Sequence, residues 1–156
     1  MIIKLADFDD RAVIELLNEH LRGMHENSPP GSVYALDYSG LQDSSISFWT
    51  VWEQNELLGC GALKQLSADH GEIKSMRTQK NHLRKGVAAK LLEHILNVAG
   101  ERNYRRLSLE TGTGEAFDPA VALYKKYGFV MGEQFADYQK SDFNQFLHLD
   151  LARLPL

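Results

Sequence analysis

The chain has 156 residues, 44% hydrophobic and 24% charged, with a net charge of −4 and one cysteine. That size suits a single domain over residues 1–156, since one core serves roughly 100–200 residues. The acidic balance argues against a general nucleic-acid binder, and the lone Cys60 excludes an internal disulfide. No apolar run is long enough to span a bilayer, and Met1-Ile-Ile-Lys-Leu-Ala-Asp7 lacks a signal-peptide layout. A cytoplasmic protein with no membrane or nucleic-acid partner is expected.

In chain order, Ile2-Ile-Lys-Leu5 suits a short strand. From Asp9 to His25 the apolar positions Ala12, Val13, Leu16, Leu17, Leu21 and Met24 recur at helical spacing, and Asn27-Ser-Pro-Pro-Gly31 ends the run. Val33 to Leu41 reads as a second short helix. Ile46 to Trp52 and Leu57 to Leu66 form a hairpin across Gln54-Asn-Glu56, and Glu72 to Thr78 is the next strand. Arg84 to Arg102 is an amphipathic helix burying Val87, Ala88, Leu91, Leu92, Ile95 and Ala99. Arg105 to Glu110 is a strand. Asp118-Pro119 has the form of an N-cap with proline at the first helical position, and Gly128 stops that helix after Tyr127. Phe129-Val-Met131 and Phe143 to Leu151 supply closing strands. This mixed order implies one α+β domain around a central sheet.

Two segments carry chemistry. The first runs from Gly71 to Lys90, a strand, a cationic turn and a helix start. A helix N-terminus offers free N–H groups and partial positive charge, a natural cradle for phosphate. Gly86 and Ala88 let the backbone come close to an anion, while Arg84 and Lys85 add positive charge. Other phosphate motifs are missing: there is no P-loop, and Gly112-Thr-Gly114 holds only two glycines of a dinucleotide fingerprint. The second segment is Ala122-Leu-Tyr-Lys-Lys-Tyr-Gly-Phe129.

Together these segments resemble the Gcn5-related N-acetyltransferase (GNAT) family, over nearly the whole chain. The resemblance implies a twisted, mostly antiparallel sheet flanked by helices, and acetyl-coenzyme A as acetyl donor, with coenzyme A as product and no metal. Leu83-Arg-Lys-Gly86-Val-Ala88 corresponds to the family's pyrophosphate turn, with Leu83 where Arg or Gln is usual. The implied cofactor contacts are Arg84, Lys85, Gly86, Val87, Ala88 and Ala89, with main-chain bonds to the pantetheine arm around Met76, Arg77 and Thr78. Tyr124 matches the tyrosine placed near the thioester sulfur, where its phenol would protonate the departing thiolate. The asparagine that relatives often carry near the start of that helix is replaced by Phe117 and Asp118.

Acetyl transfer to an amine needs a neutral nucleophile, and an alkylammonium holds its proton to a pH of about 10.4. A base is therefore required, and Glu72 is the candidate, with Glu110 on the neighbouring strand in reserve. The family's acceptor pocket is walled by its first helix, which makes His20, His25 and Ser28 candidate lining residues; Trp49 and Tyr138 are further candidates. His20 and His25 lie about 140° apart around a helix, and no metal-ligand spacing occurs. Cys60, in an apolar run, reads as a buried small hydrophobe, so direct attack in a ternary complex is expected. The acceptor would be a small amine or a peptide N-terminus, and a homodimer is compatible with the pattern. A non-catalytic acyl-coenzyme A sensor and an O-acetyltransferase are the alternatives.

Overall fold

The structure is a computed structural model and describes residues 1–33 and 36–151. Seven strands form one sheet: β1 (Ile2–Leu5), β2 (Ile46–Glu53), β3 (Glu56–Ser67), β4 (His70–Thr78), β5 (Arg106–Gly112), β6 (Val130–Gly132) and β7 (Asn144–Asp150). Their order is β1-β2-β3-β4-β5-β7-β6. Every neighbouring pair is antiparallel except β4 and β5. Helix α1 (Arg11–Glu26) packs on one face, with Val13, Leu16 and Leu17 against Phe48, Cys60 and Ala62. Helices α2 (Val87–Glu101) and α3 (Asp118–Lys126) cover the other, where Leu91, Ile95, Val121 and Tyr124 join Leu63, Ile73 and Leu109. Among the described residues no helix is long and apolar enough to cross a membrane.

Local chemistry sets most boundaries. Asp10 caps α1 by accepting the Ala12 N–H at 2.9 Å. Gln54 and Asn55 both take positive φ, the twist a two-residue hairpin turn needs. Gly128, at φ +99°, supplies the left-handed residue beyond α3.

Three expectations shift. Helix α2 begins at Val87 rather than Arg84, because Arg84 and Gly86 sit at φ +63° and +82° and cannot extend a right-handed helix backwards. Asp118 is the first residue of α3 rather than its cap; Phe117 occupies the cap position, and the N–H groups of both residues donate to Gly114 O. Of the short helix expected over Val33–Leu41, Tyr34 and Ala35 lie outside the described residues, and the rest holds only the start of a 3-10 turn, Gly40–Gln42.

The feature that positions the site is a parting of β4 from β5. The two pair only at His70–Arg106, Gly71–Leu107 and Glu72–Ser108. Beyond Glu72, β4 stays with β3 and β5 with β7, so each presents a bare edge to the gap between them. A bulge in β4 lies beside this gap: Lys74 pairs with Ala62 and Arg77 with Cys60, so Ser75 and Met76 together face Gly61. Ser75 takes φ +56° there, and its carbonyl accepts from Cys60 Sγ at 3.5 Å.

Gly59 and Gly61 make room for this backbone. A Cβ on Gly59 would lie 2.7 Å from Arg77 O and 2.9 Å from Val87 Cγ1. Gly59→Ala should therefore cost about 1–3 kcal/mol through overpacking, measured as a lower urea midpoint with unchanged slope.

Candidate active site

The bulge decides which side chains of β4 face which side. Ile73 and Met76 point to the α2 layer, where Ile73 is core and Met76 packs against it. Glu72 and Lys74 alternate to the α1 side. Arg77, three residues after Lys74, returns to that side because the bulge absorbs one residue; its pairing partner Cys60 lies in the α1 core. A cavity of about 180 Å³ runs through the gap. Its lining draws on β4 and β5, on His20, Gly23 and Met24 of α1 with its C-cap Asn27, and on Phe117, Ala120 and Tyr124 from the α3 side.

Glu72 is buried and already engaged. Lys74 Nζ lies 3.2 Å from Glu72 Oε2, and the Tyr138 hydroxyl donates to the same oxygen. Lys74 Nζ also donates to the Tyr138 hydroxyl and lies 5.2 Å from its ring centroid. Tyr138 is steadied by Phe135, whose ring centroid is 5.2 Å away.

Glu110 differs. Burial pushes its carboxyl up to about 7, with the Glu72 charge adding to the rise and Asn144 and Lys74 opposing it. Tyr124 is buried beside Phe129, and burial alone raises its phenol well above the usual tyrosine range. It therefore keeps its proton at neutral pH.

The closed end of the gap is braced by a chain of hydrogen bonds. His148 Nε2 donates to Glu133 O at 2.7 Å, and its Nδ1 lies 2.6 Å from the Ser108 hydroxyl. The same hydroxyl lies 2.7 Å from His70 Nε2. Strands β4, β5 and β7 are thus joined where the gap begins.

The cationic turn lies between β4 and α2. The Lys90 N–H donates to Gly86 O at 3.0 Å, which leaves the amides of Val87, Ala88 and Ala89 with no helical carbonyl one turn back to pair with. Arg84 and Lys85 are exposed beside them, and Lys85 Nζ rests 3.1 Å from His82 Nδ1. The Val87 side chain is core, so only its backbone is available to a ligand. A Cβ on Gly86 would meet nothing within 4 Å. The space above the turn is open, and it is the positive φ that favours glycine here.

The cavity gathers His20, Glu72, Met76, Arg77, Glu110 and Tyr124, with Tyr138 joined through Glu72. Three expected acceptor residues, Ser28, Trp49 and His25, do not line it. Trp49 is core, edge-on to His94 at 5.0 Å, because its strand position faces α2. His25 is exposed on the last turn of α1, more than a quarter-turn from His20. Lys74 and Gly23 were missed. The alternation Glu72-Ile-Lys74 carried a signal for Lys74; Gly23 carried none. Cys60 is buried, and burial lifts its thiol to about 12, which keeps it unreactive.

An open gap between a parallel strand pair, followed by a helix start with free amides, is an arrangement suited to an extended acyl carrier. Residues 11–129 match the acetyltransferase (GNAT) family. The chain belongs to that family and is an acetyl-coenzyme A-dependent N-acetyltransferase. It is 51% identical to the uncharacterized N-acetyltransferase YsnE of Bacillus subtilis (strain 168), over 94% of this chain and 97% of that protein. The fold is also that of a putative acyl-CoA N-acyltransferase from Klebsiella pneumoniae, with TM-score 0.78 and 24% identity over 97% of each chain. An aminoglycoside 6'-N-acetyltransferase solved with coenzyme A superposes with TM-score 0.76 and 14% identity over 99% of each chain.

His20 gives this site a pH signature. Burial, and then the Arg77 charge, hold its ring down to about 4. The folded state thus prefers neutral His20, so its contribution is full above about 6.5 and is lost as pH falls from there toward 4. His20→Gln should flatten the fall in melting temperature across that window, read by thermal denaturation at stepped pH.

Proposed function

We propose that acetyl-coenzyme A enters the gap from the α2–α3 side and the amine acceptor enters from the α1 side, so that they meet between Glu110 and Tyr124. The observation that carries this reading is a single cavity lined from both sides of the sheet. The donor fits the residues present. The bare edge of β4 from Lys74 to Thr78 offers main-chain groups to a pantetheine arm, and the amides of Val87, Ala88 and Ala89 face open space suited to a pyrophosphate. Arg84 and Lys85 add charge, while exposed Leu83 contributes none. When bound, acetyl-coenzyme A supplies an electrophilic acyl carbon attached to a sulfur leaving group.

Glu110 is the better placed base. Glu72 is held by an ammonium and a phenol, whereas Glu110 lines the cavity with a carboxyl poised near neutrality. It takes the proton that the amine must lose. Glu72 then acts by position, fixing Lys74 and Tyr138 on the acceptor wall. Tyr124 keeps its proton until sulfur departs and delivers it to the thiolate, so the site gains one proton and loses one per turnover. The acceptor is a small amine, because α1 lies over a cavity of only about 180 Å³.

Tyr124→Phe should lower kcat by on the order of 10²-fold and leave acetyl-coenzyme A affinity unchanged, tested by stopped assays beside calorimetry. Unchanged turnover would remove Tyr124 as the acid. In the wild type, kcat/KM should rise as pH passes through about 7, as Glu110 ionises. Glu110→Gln should abolish that limb, while the same loss in Glu72→Gln alone would return the base to Glu72. Thiol release with hydroxyl acceptors but no amine would move the reading to O-acetylation.

A further inference from the structure

One charge in the cavity has no partner in the scheme above. Lys74 is matched by Glu72, and the exposed Lys80 lies near Glu19. Arg77 lines the cavity half-buried, and among the described residues its guanidinium makes no ion pair or hydrogen bond. It is held there by shape: a Cβ on Gly23 of α1 would lie 3.0 Å from Nη1 and 3.2 Å from Nη2, so glycine leaves the space the guanidinium occupies. Beside it stands His20, whose buried Nδ1 has no hydrogen-bond partner among the described residues. A partly desolvated cation next to an unsatisfied nitrogen calls for an anion with several acceptor atoms.

Arg77 belongs to the acceptor. The bulge sends its side chain to the α1 side, while its backbone stays on the strand that edges the donor gap. Arg77 lies three residues beyond Lys74, so the two are separated by no more than about 10 Å along the strand. Glu110 and Arg77 line the same cavity of about 180 Å³, a size that suits one small molecule with its amine near Glu110 and an anionic group at Arg77. The flat guanidinium fork matches a carboxylate with two parallel bonds.

We propose that the acceptor is an amine that also bears a carboxylate, an amino acid or a compound of that layout, with the carboxylate held by Arg77 and His20. This rests on the reading that the α1 side of the cavity receives the amine. Matched sets test it: an amino acid, its amide and its decarboxylated amine, for small, aliphatic and aromatic side chains, each with acetyl-coenzyme A and followed by thiol release.

For the best set, the carboxylate member should exceed its amide by about 10- to 100-fold in kcat/KM. Arg77→Gln should remove most of that gap, by raising KM for the carboxylate member far more than KM for its amide. Gly23→Ala, which crowds the guanidinium without removing it, should raise KM for the carboxylate member more than for its amide. Equal rates for acid and amide, or a gap that survives Arg77→Gln, would overturn the proposal. If no amine releases thiol, the acetyl-transfer geometry proposed above fails instead. Calorimetry of the same compounds on coenzyme A-loaded protein then decides the carboxylate site separately, and binding indifferent to the carboxylate overturns it.

Discussion

The site depends on the loss of pairing between β4 and β5 after Glu72 and Ser108. A parallel pair that continued would satisfy its own backbone and close the sheet. By stopping, it leaves two strand edges rich in unmet hydrogen-bonding groups, and such edges are stable only when something adds to them. The bulge at Ser75 has a second effect, because the extra residue changes the side to which the following side chains point. Without it, Arg77 would face α2 and Met76 would face α1. Donor edge and acceptor wall are therefore consequences of one irregularity.

Around that irregularity the buried charges are sorted by their partners. Glu72, Lys74 and Tyr138 form a closed set in which each polar group meets another. Such a set holds geometry well, since removing one member would strand a buried charge. Glu110 sits where burial outweighs the Lys74 and Asn144 contacts, and its proton is loosely held near neutrality. Two carboxylates on adjacent strands, similar in sequence, thus acquire different work from their neighbours.

Much of this was legible in the chain. The α1 periodicity, the Gln54-Asn55 turn and the Gly128 stop each rest on local chemistry that acts the same way in any fold. The start of α2 was misplaced because Arg84 adopts a left-handed conformation that its side chain does not announce. The bulge was invisible for the same reason, as Ser75 is not a residue that favours positive φ. Periodicity placed Glu72 on a strand, but burial and the Tyr138 contact come from residues 66 positions apart in the chain, which no local pattern encodes. Trp49 shows the converse: expected to line the acceptor site, it lies in the core, because the face a strand aromatic takes is decided by sheet register.

The position of β7 between β5 and β6 affects how the protein is made. Strands β2, β3 and β4 pair with near neighbours in sequence, and α2 follows directly, so the donor side is assembled from local contacts. The wall bearing Tyr138 is tethered by His148 to Ser108, across 40 residues, and waits for β7 to insert. Long-range pairing is slow relative to local hairpins. During synthesis the β2–β4 meander and α2 can therefore form before Tyr138 is brought beside Glu72, and a nascent chain stalled before β7 would lack the strand that tethers the Tyr138 segment to the sheet.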